Sequence, residues 1–488
     1  MSTPTSDHSL AAASMAVLDQ WWDPNTHLIT DPAWGQAPRR ARVRETGWYA
    51  LGLLARGRAG DTERAVVALE AVLDRQLDRP GTPWHGTWLR WPDEPSPGPE
   101  ARAFRDYDPN WREFVGCTLF MVLSEWERVL PGELVGRIEH ALELAVAGTR
   151  ARGVSPRYSN IALMAGFLMH AVGRRRGDHG DDARGLDLMG QVLDLFDSGG
   201  VFEEYNSPTY YGIDLYALAL WRRYGNGTPI AERACAVEIA LWRDIADHYH
   251  AGLRNLAGPY DRSYGMDLSA YASGVGLWLW QALGERSAFP DVGAPFEHQW
   301  DLALAPSVAE LGVPDLPAEV HAALRTFPGR HTLEQPIVGR RVASAVLEEH
   351  LMVGAEHVGG DRGNLNDQFH PLTAHWRVGD GVGWLRLVSE LTIDVAVSPS
   401  GGDGAEVRLG WPAGGLFAFQ VRADGLDGGS VTSQRWRLPG LEVAVDGPAV
   451  LEQVEPAPDG TWWLHYRTPP GADGAGMTLR SARRPPAR

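Results

Sequence analysis

Lysine is absent from this chain: all 45 Lys-plus-Arg positions are arginine, and 62 acidic residues leave a formal net charge of −17. The missing lysine reads as base composition more than chemistry. The acidic excess excludes nucleic acid or an anionic membrane as the main partner, because both reward a basic face. It does not exclude an anionic small substrate, since a few arginines can dominate one pocket. Cysteine is also scarce. Cys117 and Cys235 lie far apart within apparent helices, which excludes a disulfide framework and a zinc ligand set and leaves buried thiols. No run approaches about 18 apolar residues, so no membrane span is expected. The start, MSTPTSDHSLAAASMAVLDQWWD, lacks the basic and apolar regions of a secretory signal. A cytoplasmic location is the resulting expectation. Phosphate loops, dinucleotide fingerprints and nucleophile elbows are missing too, so no cofactor and no metal are expected.

What is present is enough for two domains. A chain of 488 residues exceeds one ordinary core. Apolar residues make up 44% and charged residues 22%, which argues for a folded protein. Its 20 tryptophans can fill cores or line a groove, where flat aromatic faces suit sugar rings. From about residue 8 to 326, apolar residues recur at helical spacing, for example over 41–57, 62–77, 111–129, 133–151, 161–174, 210–224, 230–250 and 268–283. Ten to twelve such helices, without a strict repeat, predict an array of helix hairpins. After Pro336 the runs become short, rich in Val and Trp, and separated by Gly, Asp and Pro turns. The expected architecture is multidomain α and β: an N-terminal (α/α) toroid over 1–330, then an antiparallel β-sandwich over 337–488.

One arrangement recurs where helices should start. Asp108-Pro109 precedes Asn110 and Trp111, Ser155-Pro156 precedes Arg157 to Asn160, and Ser207-Pro208 precedes Thr209, Tyr210 and Tyr211. Each reads as a capping side chain with proline at the first helical position. Thr228-Pro229 has the same form but leads into Ile230 and Ala231, so the cap alone is punctuation. Asn, Tyr, Trp and Arg cluster only after the other three. If inner helices of a toroid point one way, their N-termini surround one mouth and favour a carboxylate there. Tyr211 shares a stripe with Leu215 and Leu218 and reads as core; Tyr210 lies on another face with Asp214 and is freer for chemistry.

These stretches carry a resemblance. DSGGVFEEYNSPTYYGIDLYAL (197–218), YDPNWREFVG (107–116), RYSNIALM (157–164) and GPYDRSYGMD (258–267) resemble segments of the toroid-type polysaccharide lyases. That group comprises the heparinase II/III-like enzymes, alginate lyases and hyaluronate/chondroitin lyases. The resemblance implies a lyase that cleaves a uronic-acid-containing saccharide by β-elimination. It implies an anionic oligosaccharide or small-molecule substrate, Asn160 as carboxylate neutraliser, Tyr210 as base and acid, and Arg262 as supporting charge. A phenol serves so if neighbouring positive charge lowers its pKa from about 10. Trp84, His85, Trp88, Asn110, Trp111, Asn206, Tyr211 and Tyr264 are the candidate substrate-binding residues.

The pattern departs from the group in histidine. Ile161 follows Asn160 where such lyases often place His, and no His lies near Tyr210. His170 sits in an apolar helix and reads as core. His85, in PWHGTWLRWP, and His370, in GDRGNLNDQFHPLTAHW, are the possible replacements, with His370 as the chosen catalytic candidate. The polar set Asp361, Arg362, Asn364, Asn366, Asp367 and Gln368 reads as a solvated loop or as a segment reaching the toroid mouth, without diagnostic metal spacing. Architectural roles stay open: Asn160 as helix bridge, Tyr210 as a buried hydroxyl, Arg262 in a surface pair. Two other classes also stay open. One is a toroid glycoside hydrolase with paired carboxylates among Glu113, Glu203 and Glu204. The other is an elimination or isomerisation enzyme, or a binding protein, for a non-carbohydrate metabolite. No oligomeric state is implied.

Overall fold

The structure is a computed structural model, and it describes residues 9–35, 38–225, 227–359, 368–390, 392–400, 404–411 and 415–482. Among these residues the helices run α1 Leu10–Trp21, α2 Val43–Arg56, α3 Asp61–Leu73, α4 Trp111–Trp126, α5 Gly132–Arg152 and α6 Ser159–Arg176. They continue as α7 His179–Gly199, α8 Tyr211–Tyr224, α9 Pro229–His248, α10 Gly274–Leu283, α11 Ala305–Leu311 and α12 Ala318–Arg325. The last helix ends at Arg325 and the first strand of the sandwich begins at His331. Five short strands interrupt the helical part: β1 Trp22–Asp23, β2 Leu28–Asp31, β3 Arg40–Arg42, β4 Tyr249–His250 and β5 Asn255–Leu256. No helix of the described residues is long and apolar enough to cross a membrane.

Two compact units emerge. The first comprises 1–198, 211–239 and 270–315; the second comprises 199–210, 240–269 and 316–488.

In the first unit α2, α4, α6, α8, α10 and α11 touch in that order, and α11 returns to α2. The ring therefore closes, which makes this unit an (α/α) toroid. Its wall explains the burial. Every residue of α4 from Trp111 to Leu123, of α6 from Ser159 to Gly173, and of α8 from Tyr211 to Trp221 is buried. The helix α5, packed against α4 and α6, is buried along one stripe only. A helix apolar all round needs cover all round; an outer helix needs one face.

Glycine sets the closest approach in this ring. A methyl on Gly212 in α8 would fall inside the backbone of Gly274 at the start of α10. The Gly212 carbonyl also accepts the Trp278 indole N–H at 2.7 Å. Gly212→Ala should therefore separate the two helices and cost about 1–3 kcal/mol, the usual penalty of overpacking. A chemical denaturation curve unchanged from wild type would show that the wall yields at no cost.

Capping corrects one sequence expectation. The Ser/Thr/Asp-Pro pattern predicts proline at the first helical position in four places, but only Pro229 begins its helix, with Thr228 accepting the Ala231 N–H at 3.2 Å. The helices α4, α6 and α8 begin at Trp111, Ser159 and Tyr211, beyond Pro109, Pro156 and Pro208. There Asp108, Ser155 and Ser207 accept N–H groups from Asn110, Arg157 and Tyr210. Such bonds close a turn before the helix. Each polar cluster consequently occupies a turn leading into an inner helix.

The second unit is built on an antiparallel β-sandwich. Its strands are β6 His331–Pro336, β7 Val342–Glu348, β8 Leu351–His357, β9 Leu372–Val378, β10 Gly381–Ser389, β11 Asp394–Pro399 and β12 Gly404–Gly410. They continue as β13 Leu416–Arg422, β14 Arg435–Leu438, β15 Leu441–Asp446, β16 Val450–Pro456, β17 Trp462–Arg467 and β18 Gly474–Ser481. One sheet has the order β16-β17-β13-β10-β9-β8-β7-β6, the other β11-β12-β18-β15-β14. Alternate residues such as Val353, Ala355, Leu385, Leu387, Val407 and Leu479 meet in one core. The Trp436 indole donates to the Tyr466 hydroxyl at 2.7 Å, a polar link between the sheets. Thr373 in β9 anchors the 258–264 loop by accepting the Gly258 N–H at 3.1 Å.

Candidate functional site

Within the second unit, two irregular segments run side by side. Asn206 takes a left-handed backbone, φ 46°, and its buried amide donates to the carbonyls of Ala257 (2.7 Å) and Pro259 (3.0 Å). The Tyr205 N–H donates to the Asp261 carboxylate at 3.0 Å, and the Asp261 N–H donates to the Tyr205 carbonyl at 3.1 Å. Ser207 ties the two again. Its hydroxyl donates to the Arg262 carbonyl at 2.5 Å and accepts the Tyr210 N–H at 2.9 Å. Tyr210 and Arg262 are thereby fixed opposite each other.

Arg262 is the hub of this cluster. It donates to the Tyr210 hydroxyl at 2.7 Å, to Glu204 at 2.5 Å and, through Nε, to the Gln368 side-chain carbonyl at 3.0 Å. Its guanidinium carbon lies 3.9 Å from the Tyr210 ring centroid, within cation–π range. The Tyr210 and Tyr264 hydroxyls share a hydrogen bond of 2.7 Å. Tyr210, Arg262, Tyr264 and Glu204 are all half-buried, so the cluster is anchored from below and retains exposed surface.

Electrostatics refine the expectation for Tyr210. Burial pushes its phenol well above the ordinary range, Tyr264 and Glu204 add to that, and Arg262 works against them. The expected net lowering is therefore overturned: desolvation outweighs the one guanidinium. Tyr210 enters as a phenol, with its proton in place.

His370 belongs to the same unit but is fully buried. One ring nitrogen lies 3.2 Å from the Ser263 carbonyl, and Arg386 approaches the ring at 3.3 Å. Burial first, then the Arg386 charge, push its pKa down to about 3. It is neutral at physiological pH, and its backbone pairs with Tyr260 beneath the 258–264 loop. Asp361, Arg362, Asn364, Asn366 and Asp367 lie outside the described residues. Among the described residues no group of three His, Cys, Asp or Glu side chains is placed to hold a metal.

In the first unit the candidates occupy the turns before α4 and α6. Asn110 donates to the Tyr158 hydroxyl at 3.0 Å. Asn160 is fully buried at the second position of α6. Trp111 lies under Arg44, whose guanidinium is 5.3 Å from its ring, and Arg44 also binds Glu45 (2.5 Å) and Asp301 (2.9 Å). Sequence reasoning missed this half-buried charged group, because 257 residues separate Arg44 from Asp301. Trp84 packs edge-on against Tyr107 at 5.8 Å, and Trp88 is wholly buried. The backbone of half-buried His85 is held by Arg112, which donates to its carbonyl at 2.8 Å. Tyr211 is fully buried in α8. Glu113 is buried as well, bonded to Thr149 at 2.9 Å, with burial pushing its pKa up against Arg152 and Arg112.

A model of the family described as Domain of unknown function (DUF8769) matches residues 8–312. No curated protein matches the chain. Similar solved structures include a heparinase III (BT4657 gene product), at 9% identity and TM-score 0.38, over 90% of this chain and 78% of that one. Heparan sulfate lyase HepC from Pedobacter heparinus is 9% identical, TM-score 0.36, over 100% and 86% of the two chains. Endoglucanase CelQ from Clostridium thermocellum is 7% identical, TM-score 0.26, over 98% and 93%. Overlap this loose transfers no residue role.

Proposed function

The chain belongs to the family described as Domain of unknown function (DUF8769), and for this member we propose a lyase that cleaves a uronic-acid-containing saccharide by β-elimination. The supporting observation is the convergence of the Arg262 guanidinium and the Tyr264 hydroxyl on the oxygen of Tyr210, each at 2.7 Å. Of the two, the Arg262 guanidinium is the fixed donor and favours the charged form of that oxygen when the proton leaves, while the bond shared with Tyr264 holds the hydroxyl in place. A phenol so held can give a proton to a departing oxygen, and its phenolate can take one from carbon.

In the reaction, the ring proton beside the uronate carboxylate passes to a base. The electron pair forms the alkene as the bond to the glycosidic oxygen breaks, and that oxygen receives a proton. Arg262 faces the charge that builds up on the carboxylate. Stabilising such charge with preset donors is usually the largest contribution to rate. Glu204 holds Arg262 from one side and Gln368 from another, which keeps the guanidinium aimed without help from substrate.

Uronic-acid oligosaccharides incubated with the protein should develop a new ultraviolet absorbance, from the acid conjugated with its ring alkene. Paired carboxylates would instead release reducing ends with no absorbance. That second outcome would replace elimination by hydrolysis and make Glu203 and Glu204 the residues to test.

A further inference from the structure

The sandwich carries a second cleft, of about 1610 Å³, away from the tyrosine cluster. Its lining includes Arg325 at the end of α12, Arg330 before β6, Arg377 late in β9 and Arg480 in β18. His370, beside the tyrosine cluster, and Arg377 are seven residues apart along nearly extended chain, roughly 20 Å. Four arginines meet two carboxylates here, Glu348 and Glu349, in a chain whose net charge is −17. Arg330 is engaged with Glu348 at 3.0 Å, and Arg377 donates to the Gly252 carbonyl at 2.6 Å. Arg480 is exposed and has no ion-pair partner among the described residues. An aromatic face completes the wall. Phe327 stacks on buried His250, centroids 3.9 Å apart and planes 10° apart, and remains half-exposed.

We propose that this cleft binds an acidic oligosaccharide at a site distinct from the tyrosine cluster. The inference rests on the saccharide reading above for its ligand class. Guanidinium forks match carboxylate and sulfate groups bidentately, and an aromatic face suits the apolar side of a sugar ring. Volume favours an extended ligand, because the cleft exceeds the roughly 300–1,000 Å³ of ordinary small-molecule sites. Placement favours repeated charge: the arginines come from four separate elements, whereas a nucleotide would need them focused on one phosphate cluster. A chain held here would be retained by the enzyme between encounters with the tyrosine site.

Hydrogen–deuterium exchange of the full chain, with and without a galacturonate hexasaccharide, tests this. The acidic hexasaccharide should slow exchange over 325–330, 348–351 and 480–482, and added salt should remove that protection. Arg480→Glu should weaken binding at the cleft on the order of 10-fold. Arg480→Ala should do so less, and both should leave exchange of the unliganded protein unchanged. Equal protection by a neutral galactose hexasaccharide, or protection by ATP in place of the acidic sugar, would overturn the proposed ligand. Protection confined to 203–210 and 258–264 would overturn the cleft while leaving the lyase reading intact. Protection at the cleft with no unsaturated product from any uronate would instead sink the lyase reading alone.

Discussion

Arg341→Met should destabilise the second unit by about 3–5 kcal/mol, the usual cost of removing one partner from a buried ion pair. Arg341 sits between two carboxylates that are wholly buried, Asp261 at 2.5 Å and Glu356 at 2.7 Å. Burial works against its charge, and the two carboxylates outweigh that and hold the guanidinium more strongly protonated than usual. Methionine keeps much of the volume and removes the cation, so two carboxylates lose the group facing both. The damage should spread to function, because Asp261 also fixes the backbone of Tyr205 and directly precedes Arg262. Urea unfolding followed by tryptophan fluorescence should show an earlier transition. Adding Asp261→Asn and Glu356→Gln should recover part of the loss, since the stranded charge is then gone. A shift below about 1 kcal/mol for Arg341→Met would mean that water reaches this group and that it does not hold the loop.

Periodicity made the architecture legible, because helices such as α5 and the strands of the sandwich bury apolar residues at spacings of 3.6 and 2, while α4, α6 and α8 are apolar along most of their length. The cluster was partly legible for a different reason. Tyr210, Arg262 and Tyr264 stand in short segments crowded with polar and aromatic residues where folding alone asks for apolar ones. Their partners were not legible as partners. Arg262 reaches Glu204 across 58 residues and Gln368 across 106, and no local pattern encodes such a meeting. The same holds for Arg341 with Asp261, 80 residues apart. Cap chemistry misled in a specific way: Ser207-Pro208 and Thr228-Pro229 look alike, yet one closes a turn and the other starts a helix. The side chain bonds a nearby N–H in both cases, and the residues after it decide whether the helix begins at once. Desolvation was the other hidden quantity. A sequence shows Arg262 near a tyrosine but not how much of that tyrosine is buried, and burial decides the direction in which the phenol shifts.

Tyr210→Phe should reduce turnover roughly 10²–10⁴-fold, the usual worth of a positioned proton-transfer group. The change removes one hydroxyl and keeps the ring, so the contact with the Arg262 guanidinium at 3.9 Å survives. Substrate binding should persist, because Arg262 and its supports Glu204 and Gln368 stay in place. Tyr264→Phe removes the other end of the 2.7 Å hydrogen bond and leaves Arg262 as donor. It should therefore cost turnover as well, but less than Tyr210→Phe does. Tyr211→Phe is the matched comparison. That residue is fully buried in α8, where loss of a hydroxyl should affect stability modestly and turnover little. Initial rates of unsaturated-product formation, read beside a binding titration, separate these cases. Near-wild-type turnover in Tyr210→Phe would remove it from the chemistry, and a large loss confined to Tyr211→Phe would show that the neighbour carries the proton instead.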